Sequence, residues 1–406
     1  MTPLKQGFGP LTPAREARSI ILRHAQSMPA EDVALLDLPA RILTSDVLAP
    51  IDVPHFPKSS MDGYAVIATD TSRASEENPV VLRLQSAIAT GEWPSEAGEP
   101  GNCAEIGTGA ALPSGYDAVV MVESTSRDGE LVSVKAPAAA GENIISPGSD
   151  VSSGSIVAGA GTRVGANHLG VLAALGLEKV SVASRPRVGL LSTGPELLAP
   201  GAPLTEGKIF EINSFTVGAA LASDGAEVVD LGVVPDQLDH VVKAAADGSA
   251  NTDVLIVSGG SSLGAGDLVV ETFEALGELL LHGVAVKPGK PLAVGLTSAG
   301  KLMIGLPGFP VSALCDYYLF VRPLIFEMTG LRPQPFSSKT ASLGVRHESP
   351  NGFYEFRLVR LEGGRAMPIY RGSSEISAFG EADGYFEIDE QTEVIEEGSP
   401  VEVTRF

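Results

Sequence analysis

The run RVGLLSTG, residues 187–194, is a short apolar strand ending in a glycine turn, and DVLIVSGG, residues 253–260, has the same form. Neither alternates polar with apolar residues, which is the pattern of strands buried on both faces of a parallel sheet. Between them lie helical spacing over Ser214–Ala222, a strand over Glu227–Val233 and helical spacing over Gln237–Ala246. A helix over Leu268–Leu276 follows, then strands near Val284–Lys287, Leu292–Val294 and Leu302–Gly305, and a helix over Val311–Glu327. This alternation predicts a doubly wound, mainly parallel α/β unit over residues 185–331.

Outward from that unit the texture changes on both sides. Residues Ala14 to Leu48 read as helix and then a short extended piece. Two amphipathic segments, carried by Ile20, Ile21 and Ala25 and by Val33, Leu35 and Leu36, are broken at Pro29. From Ile51 short β-like runs appear at Tyr64–Ile67, Val80–Leu84, Ala118–Met121 and Leu131–Val134, a small β-rich unit over 51–149. Helical spacing returns over Val164–Leu177. After Pro333 short strands at Ala341–Val345, Tyr354–Leu361, Tyr385–Ile388 and Val401–Thr404 predict a small β-barrel or sandwich. The expected fold class is multidomain, α/β plus β.

Composition bounds the function. A chain of 406 residues exceeds one ordinary core and fits two to four domains. Hydrophobic residues at 44% and charged residues at 19% describe a globular protein. The two cysteines, Cys103 and Cys315, give neither a disulfide framework nor a thiolate metal site, so a reducing cytoplasm is the expected location. His24, His55, His168, His240, His282 and His347 show no ligand spacing. No uninterrupted apolar run is long enough to span a membrane, and Met1 to Pro13 lacks a signal-peptide core. With 28 basic against 50 acidic residues the net charge is −22, which argues against nucleic acid and anionic lipid as partners. An anionic ligand then needs a local basic pocket, and two of the ten lysines, Lys287 and Lys290, lie three residues apart. Ser192 and Ser258 lack a nucleophile elbow, and no dinucleotide fingerprint opens the α/β unit.

Four glycine-rich turns follow predicted strands. They are Ser192-Thr193-Gly194 with Glu196; Ser258-Gly259-Gly260 continuing through Ser262, Gly264 and Asp267; Lys287-Pro288-Gly289-Lys290; and Gly305-Leu306-Pro307-Gly308. Ligands of doubly wound sheets bind at the carboxyl edge, where glycines let backbone amides and helix N-termini approach a phosphate. Each turn read alone is only a turn, Asp267 alone is a helix N-cap, and Glu196 alone is a surface residue. Together they point to an anion-and-metal pocket, with a carboxylate pair beside phosphate oxygens able to hold Mg²⁺. Elsewhere, Asp62-Gly63 reads as a hairpin turn.

The segments Ser60-Met61-Asp62-Gly63-Tyr64-Ala65, Thr108-Gly109-Ala110, Pro113, Gly115, Asp117-Ala118-Val119-Val120, Glu123, Gly141-Glu142-Asn143-Ile144, Gly148 and Asp150 precede the α/β turns. Glu196-Leu197, Pro200-Gly201, Asn213-Ser214, Lys290-Pro291 and Pro310-Val311-Ser312 lie among or after those turns. In this order, over essentially the whole chain, they resemble the molybdopterin molybdotransferase family (MoeA and the gephyrin E-domain).

The resemblance implies a first domain split over 1–50 and 150–184 around an inserted domain over 51–149. It also implies an α/β domain over 185–331 that shares its fold with molybdopterin adenylyltransferases, and a C-terminal β-barrel over 332–406. An elongated homodimer would set the α/β edge across a cleft from the inserted domain of the partner subunit. The implied reaction is insertion of molybdate into adenylylated molybdopterin, with Mg²⁺-dependent release of AMP. The implied catalytic residues are Asp62, Glu196, Asp236 and Asp267, with Glu196 and Asp267 as metal ligands and Asp150 on the cleft. Thr108, Thr193, Gly194, Gly259, Gly260, Ser262, Lys287, Lys290, Gly308, Ser312, Arg357 and Ser374 would bind substrate and phosphate. Molybdopterin adenylyltransferase and molybdoenzyme clients join the implied partners. The chain departs from the family pattern at Glu105, Ile145, Pro147, Pro195, Ile212 and Phe309. Those departures motivate a second reading, a non-catalytic or regulatory molybdopterin-binding paralogue acting as a scaffold. A third is an adenylyltransferase working from the α/β unit alone.

Overall fold

The computed structural model describes residues 10–259, 267–332, 338–369 and 372–406. The runs 187–194 and 253–260 contain strands because each fills two cores at once. In Arg187–Thr193, Val188 and Leu190 face one core and Leu191 the other; in Val254–Gly259, Val254 and Ile256 join the first, Leu255 and Val257 the second. The first core takes Val217 and Leu221 from the helix Asn213–Ser223, and Val311 and Leu314 from the helix Pro310–Asp316. The second takes Val241 and Ala245 from the helix Leu238–Ala250, and Val269 and Phe273 from the helix Leu268–Leu276.

The sheet runs Glu227–Val234, Arg187–Thr193, Val254–Gly259 and Leu302–Leu306, all parallel. Ala293–Thr297 and then Gly277–His282 are added antiparallel at one side. The unit is therefore doubly wound and mainly parallel, as the alternation predicts. The segment expected as a strand over Val284–Lys287 belongs elsewhere. Only Val286–Lys287 is strand, and it pairs in parallel with Tyr354 and Glu355 of the C-terminal region.

That C-terminal region is a closed barrel of five strands. Tyr354–Glu362 pairs with Arg365–Pro368, then come Lys339–Leu343, Pro400–Arg405 and Gly384–Ile388, which returns to Tyr354–Glu362. Its interior is built by Leu343, Val359, Ala366, Phe386, Ile388 and Val403. Phe356, Leu358 and Tyr385 point the other way, into the first core of the α/β unit.

The β-rich stretch forms a six-stranded sheet in the order Ala118–Met121, Gly63–Val66, Asn102–Ile106, Val80–Ile88, Leu131–Val134 and Thr125–Asp128. Both faces are covered, one by Tyr64, Val66, Leu82 and Val120, the other by Ala65, Ala104, Ile106 and Val119. Segments on either side of it in the chain meet each other. Ala30–Ala34 pairs antiparallel with Lys179–Ala183, and Leu38, Leu43, Leu172 and Val182 share one core.

Two helical expectations are corrected. The segment holding Val33, Leu35 and Leu36 is not a second helix but the strand Ala30–Ala34 and a 3₁₀ turn, because pairing with Lys179–Ala183 overrides local spacing. The helix expected over Val311–Glu327 is interrupted by a π turn at Tyr317–Val321, and helix resumes as Arg322–Thr329. Pro323 lacks the amide that would serve the carbonyl of Leu319 in an unbroken α-helix, and Arg18 Nε donates to that carbonyl at 3.0 Å. Arg18 comes from the helix Ala14–Arg23, whose Ala14, Ala17 and Ile21 pack into the same core.

Within this π turn the buried Tyr317 hydroxyl donates to Asp224 Oδ2 at 2.6 Å, beside Arg322 Nε at 3.3 Å from the same oxygen. Burial pushes the Asp224 carboxyl up, while Arg322 and Tyr317 hold it down. Tyr317→Phe, which leaves that buried carboxyl short of a donor, is expected to cost about 1–3 kcal/mol in chemical denaturation. An unchanged transition would show that Arg322 alone suffices.

Candidate functional site at the carboxyl edge of the parallel sheet

Three adjacent parallel strands deliver their turns to one edge, as Thr193-Gly194, Gly259 and Pro307-Gly308. Gly259 has a φ of +96°, and a Cβ there would stand 2.0 Å from the carbonyl oxygen of Thr193. Only glycine fits that approach. A Cβ on Gly308 would sit 3.7 Å from the Cα of Gly259, so the third turn closes on the second. Gly260 and Ser262, expected beside them, lie outside the described residues.

The junction is held by Asn213, which opens the helix Asn213–Ser223. Its buried amide nitrogen donates to Ser258 Oγ at 2.7 Å, to the Gly308 carbonyl at 3.1 Å and to the Pro307 carbonyl at 3.4 Å. Glu211, also buried, accepts from Ser192 Oγ at 3.1 Å and from the Ser214 amide at 2.8 Å, and contacts Ser214 Oγ. A carboxylate on the free amides of a helix start is electrostatically favoured. Sequence reasoning missed the roles of both residues. The available signal was an acidic residue just ahead of Asn213-Ser214 at a helix start.

The charged residues divide. Asp236 Oδ1 accepts from Thr193 Oγ1 at 3.0 Å. Glu196 folds back over the same turn, its two carboxylate oxygens each 2.9 Å from where a Cβ on Gly194 would stand. Both are exposed, and two carboxylates bordering one turn are a donor set that fits Mg²⁺. Asp267 is the N-cap of the helix Leu268–Leu276, accepting from the Val269 and Val270 amides at 3.1 and 3.4 Å. Its other oxygen faces His282 Nε2 at 3.1 Å. Among the described residues no group of three or more His, Cys, Asp or Glu converges as a metal site.

Lys287 and Lys290 are exposed on either side of Pro288-Gly289. Gly289 has a φ of +121° and rests on the buried Asp316, where a Cβ would come within 1.9 Å of Oδ1. Burial raises the Asp316 carboxyl well above the usual range. Ser312 is buried in the helix Pro310–Asp316, and exposed Ser374 follows Ser373, whose carbonyl accepts from the Val311 amide at 3.1 Å. Arg357 is already engaged in the barrel, donating to the fully buried Glu355 at 3.1 Å. His347 Nε2 lies 2.7 Å from the other oxygen of Glu355.

A second group sits in the β-rich region. The Thr108 amide and hydroxyl both donate to Asp62 Oδ1, at 2.7 and 2.9 Å. Asp62 borders a cleft of about 380 Å³ lined also by Tyr64, Ile88, Glu105, Ile106 and Val122. Glu105 Oε2 pairs with Arg127 Nη1 at 2.7 Å. Asp150 is exposed, its amide donating to the Val53 carbonyl at 3.1 Å. No hydrogen bond or ion pair among the described residues links this group to the sheet edge.

The Thr108 amide, and then its hydroxyl, hold the Asp62 carboxyl below its ordinary value. Ionisation of Asp62 therefore favours the folded state above the ordinary carboxylate range, and this is lost as pH falls through the lowered folded value. Thr108→Val removes the hydroxyl but not the amide. A carboxyl-detected NMR titration should show Asp62 moving up toward the ordinary value; no movement would leave the amide as the sole cause.

Three family descriptions match the chain in succession. These are the MoeA N-terminal region (domain I and II) over residues 12–176, a probable molybdopterin binding domain over 189–327, and the MoeA C-terminal region (domain IV) over 340–406. Molybdopterin molybdenumtransferase 2 of Mycobacterium tuberculosis (strain ATCC 25618 / H37Rv) is 35% identical over 384 residues, covering 91% of this chain and 94% of its own. The molybdopterin molybdenumtransferase of Bacillus subtilis (strain 168) is 34% identical over 402 residues, covering 96% and 93%. A solved molybdopterin biosynthesis MoeA protein from Pyrococcus horikoshii OT3 superposes with a TM-score of 0.85 at 30% identity, covering 98% of this chain and 100% of its own.

Proposed function

The chain belongs to the MoeA family, and on that premise we propose that it is a molybdopterin molybdotransferase of molybdenum cofactor biosynthesis. In this reading it inserts molybdate into adenylylated molybdopterin and releases AMP. The observation that carries the reading is the glycine junction at the sheet edge. Gly259 can approach the Thr193 carbonyl only without a side chain, which leaves backbone open to a phosphate.

The roles follow from the chemistry each side chain can supply. Lys287 and Lys290 give the junction two formal positive charges for the phosphates in a chain of net charge −22. Thr193, through its bond to Asp236, fixes one wall of the phosphate site. Glu196 and Asp236 would hold Mg²⁺, and the ion would offset charge on the phosphoanhydride. Asp267 is spent on a helix cap and on His282. Water divides the phosphoanhydride into AMP and the phosphate of molybdopterin, and the dithiolene sulfurs replace oxygens of molybdate that leave as water. Asp62, ionised and fixed by Thr108, is the acceptor on the molybdate side.

Asp62 and the sheet edge then serve one reaction from two surfaces, which a homodimer would bring face to face. Exposed Met61, Met121 and Val122 beside Asp62 offer apolar surface for such a contact. We read the four packed units as four domains, the first split around the β-rich one.

The test is AMP release from adenylylated molybdopterin with molybdate, with and without Mg²⁺. Wild type should turn over, and chelation should slow it. Lys287→Ala and Lys290→Ala should each lower kcat/KM about 10- to 100-fold, the size of a lost charge-assisted phosphate contact. Asp62→Asn should abolish molybdate insertion while nucleotide binding persists. Wild type releasing no AMP above a protein-free blank would overturn the proposal.

A further inference from the structure

The loop that holds Lys287 and Lys290 rests on a group that the proposed reaction leaves unused. Asp316 ends the helix Pro310–Asp316 beneath that loop, and it is fully buried. Neither of its carboxyl oxygens has a hydrogen-bond partner. At Gly289 the three atoms nearest an added Cβ are Oδ1, Cγ and Oδ2 of Asp316, at 1.9, 2.7 and 3.0 Å. The backbone between the two lysines therefore lies directly on this carboxyl group, which only a glycine permits.

An unpartnered carboxylate in a closed core is strongly destabilising, so Asp316 is held as the neutral acid. Burial alone raises its carboxyl, and no cation holds it down. Beside it on the helix, the Cys315 thiol is pushed up by burial and then by Asp316. The helix packs on the strand Leu302–Leu306, which has no titratable side chain, on the helix Asn213–Ser223 and on the π turn Tyr317–Val321. There Asp224 is engaged by Tyr317 and Arg322, and burial raises Tyr317 and Tyr318. Glu355, across the strand pair from Lys287, is engaged by His347 and Arg357. The loop's own lysines are the cations that a charge on Asp316 would draw. A metal ion is the rival way to satisfy a buried carboxyl, and among the described residues no group of three or more His, Cys, Asp or Glu gathers around this one.

Resting on the function proposed above, we propose that Asp316 is a positioning residue for the lysine loop and makes that loop proton-sensitive. As a neutral acid it seats Gly289 and makes no claim on the ammonium groups, which are left for a phosphate. Once ionised it draws a lysine ammonium or water inward, and the loop leaves its seat. Because burial raises the folded value, the seat is kept at low pH and lost as pH rises through that raised value.

Hydrogen exchange read by mass spectrometry on the full-length protein tests the seat without a ligand. The Leu292 amide donates to the Gly289 carbonyl at 3.3 Å and the Val284 amide to the Lys290 carbonyl at 2.9 Å, so peptides across those residues report the loop. Their protection, corrected for intrinsic exchange, should fall in wild type between about pH 6 and 9, below the range in which lysine itself titrates. Peptides over the strand Arg187–Thr193 should keep theirs. Asp316→Asn, which keeps the shape and cannot ionise, should hold the loop's protection throughout, and Gly289→Ala should lower it at every pH. AMP should bind wild type about tenfold more weakly at the upper end of that range, the loss of one charge-assisted contact, and Asp316→Asn should not show the loss. A flat wild-type exchange profile, or equal profiles in wild type and Asp316→Asn, overturns the inference and leaves the proposed function standing. Wild type that neither binds nor releases AMP overturns the proposed function, while a pH-linked loss of loop protection would still support the seat. Should Asp316→Asn fail to fold, a wild-type loss confined to the loop peptides supports the inference, and a loss shared by the whole sheet overturns it.

Discussion

The Asn213 amide donates to Ser258, Pro307 and Gly308, and through those bonds one side chain ties a helix start to the ends of two parallel strands. The strand Arg187–Thr193 also meets the junction through backbone, because Gly259 lies too close to the Thr193 carbonyl for any Cβ. Glu211 then takes the Ser214 amide at the head of the same helix and binds Ser192 on that strand. Relax the Asn213 contacts and the turns lose their common reference. In the proposed function, the lysine loop, the Glu196–Asp236 pair and the edge itself would serve a phosphate only while those turns stay together.

Local pattern was enough where one residue's neighbours in sequence decide its burial. The helix Leu268–Leu276 and the strands Ala118–Met121 and Leu131–Val134 have the predicted limits. Strands whose existence depends on a distant partner were not legible. Thr125–Asp128 is polar and exposed along most of its length and is a strand because Leu131–Val134 lies beside it. Ala30–Ala34 has helical spacing nearby but is captured by Lys179–Ala183. The same division runs through the site. Glycines at 194, 259 and 308 signal turns in the sequence itself. The work of Asn213, and the burial of Glu211, depend on what faces them from residues far along the chain.

The C-terminal barrel is also more closely joined to the α/β unit than its separate texture implies. Phe356, Leu358 and Tyr385 enter the core that holds Val188, Ile256 and Ile304, and the N-terminal helix adds Ala17 and Ile21 to it. Val286–Lys287 is paired to barrel residues Tyr354 and Glu355, so the lysine loop is aligned by the barrel on one side and by Asp316 beneath Gly289 on the other. Arg357, read from the sequence as a ligand contact, stands within the Glu355 and His347 cluster behind that strand pair. Its placement connects it to the loop's support.

The proposed function requires the adenylylated substrate to bind at the sheet edge. The most direct measurement is a crystal structure of the protein soaked with AMP and Mg²⁺. The nucleotide phosphate is expected at the turns of Gly194, Gly259 and Gly308, within reach of Lys287 or Lys290. A nucleotide found instead in the cleft beside Asp62, with the sheet edge empty, would contradict it.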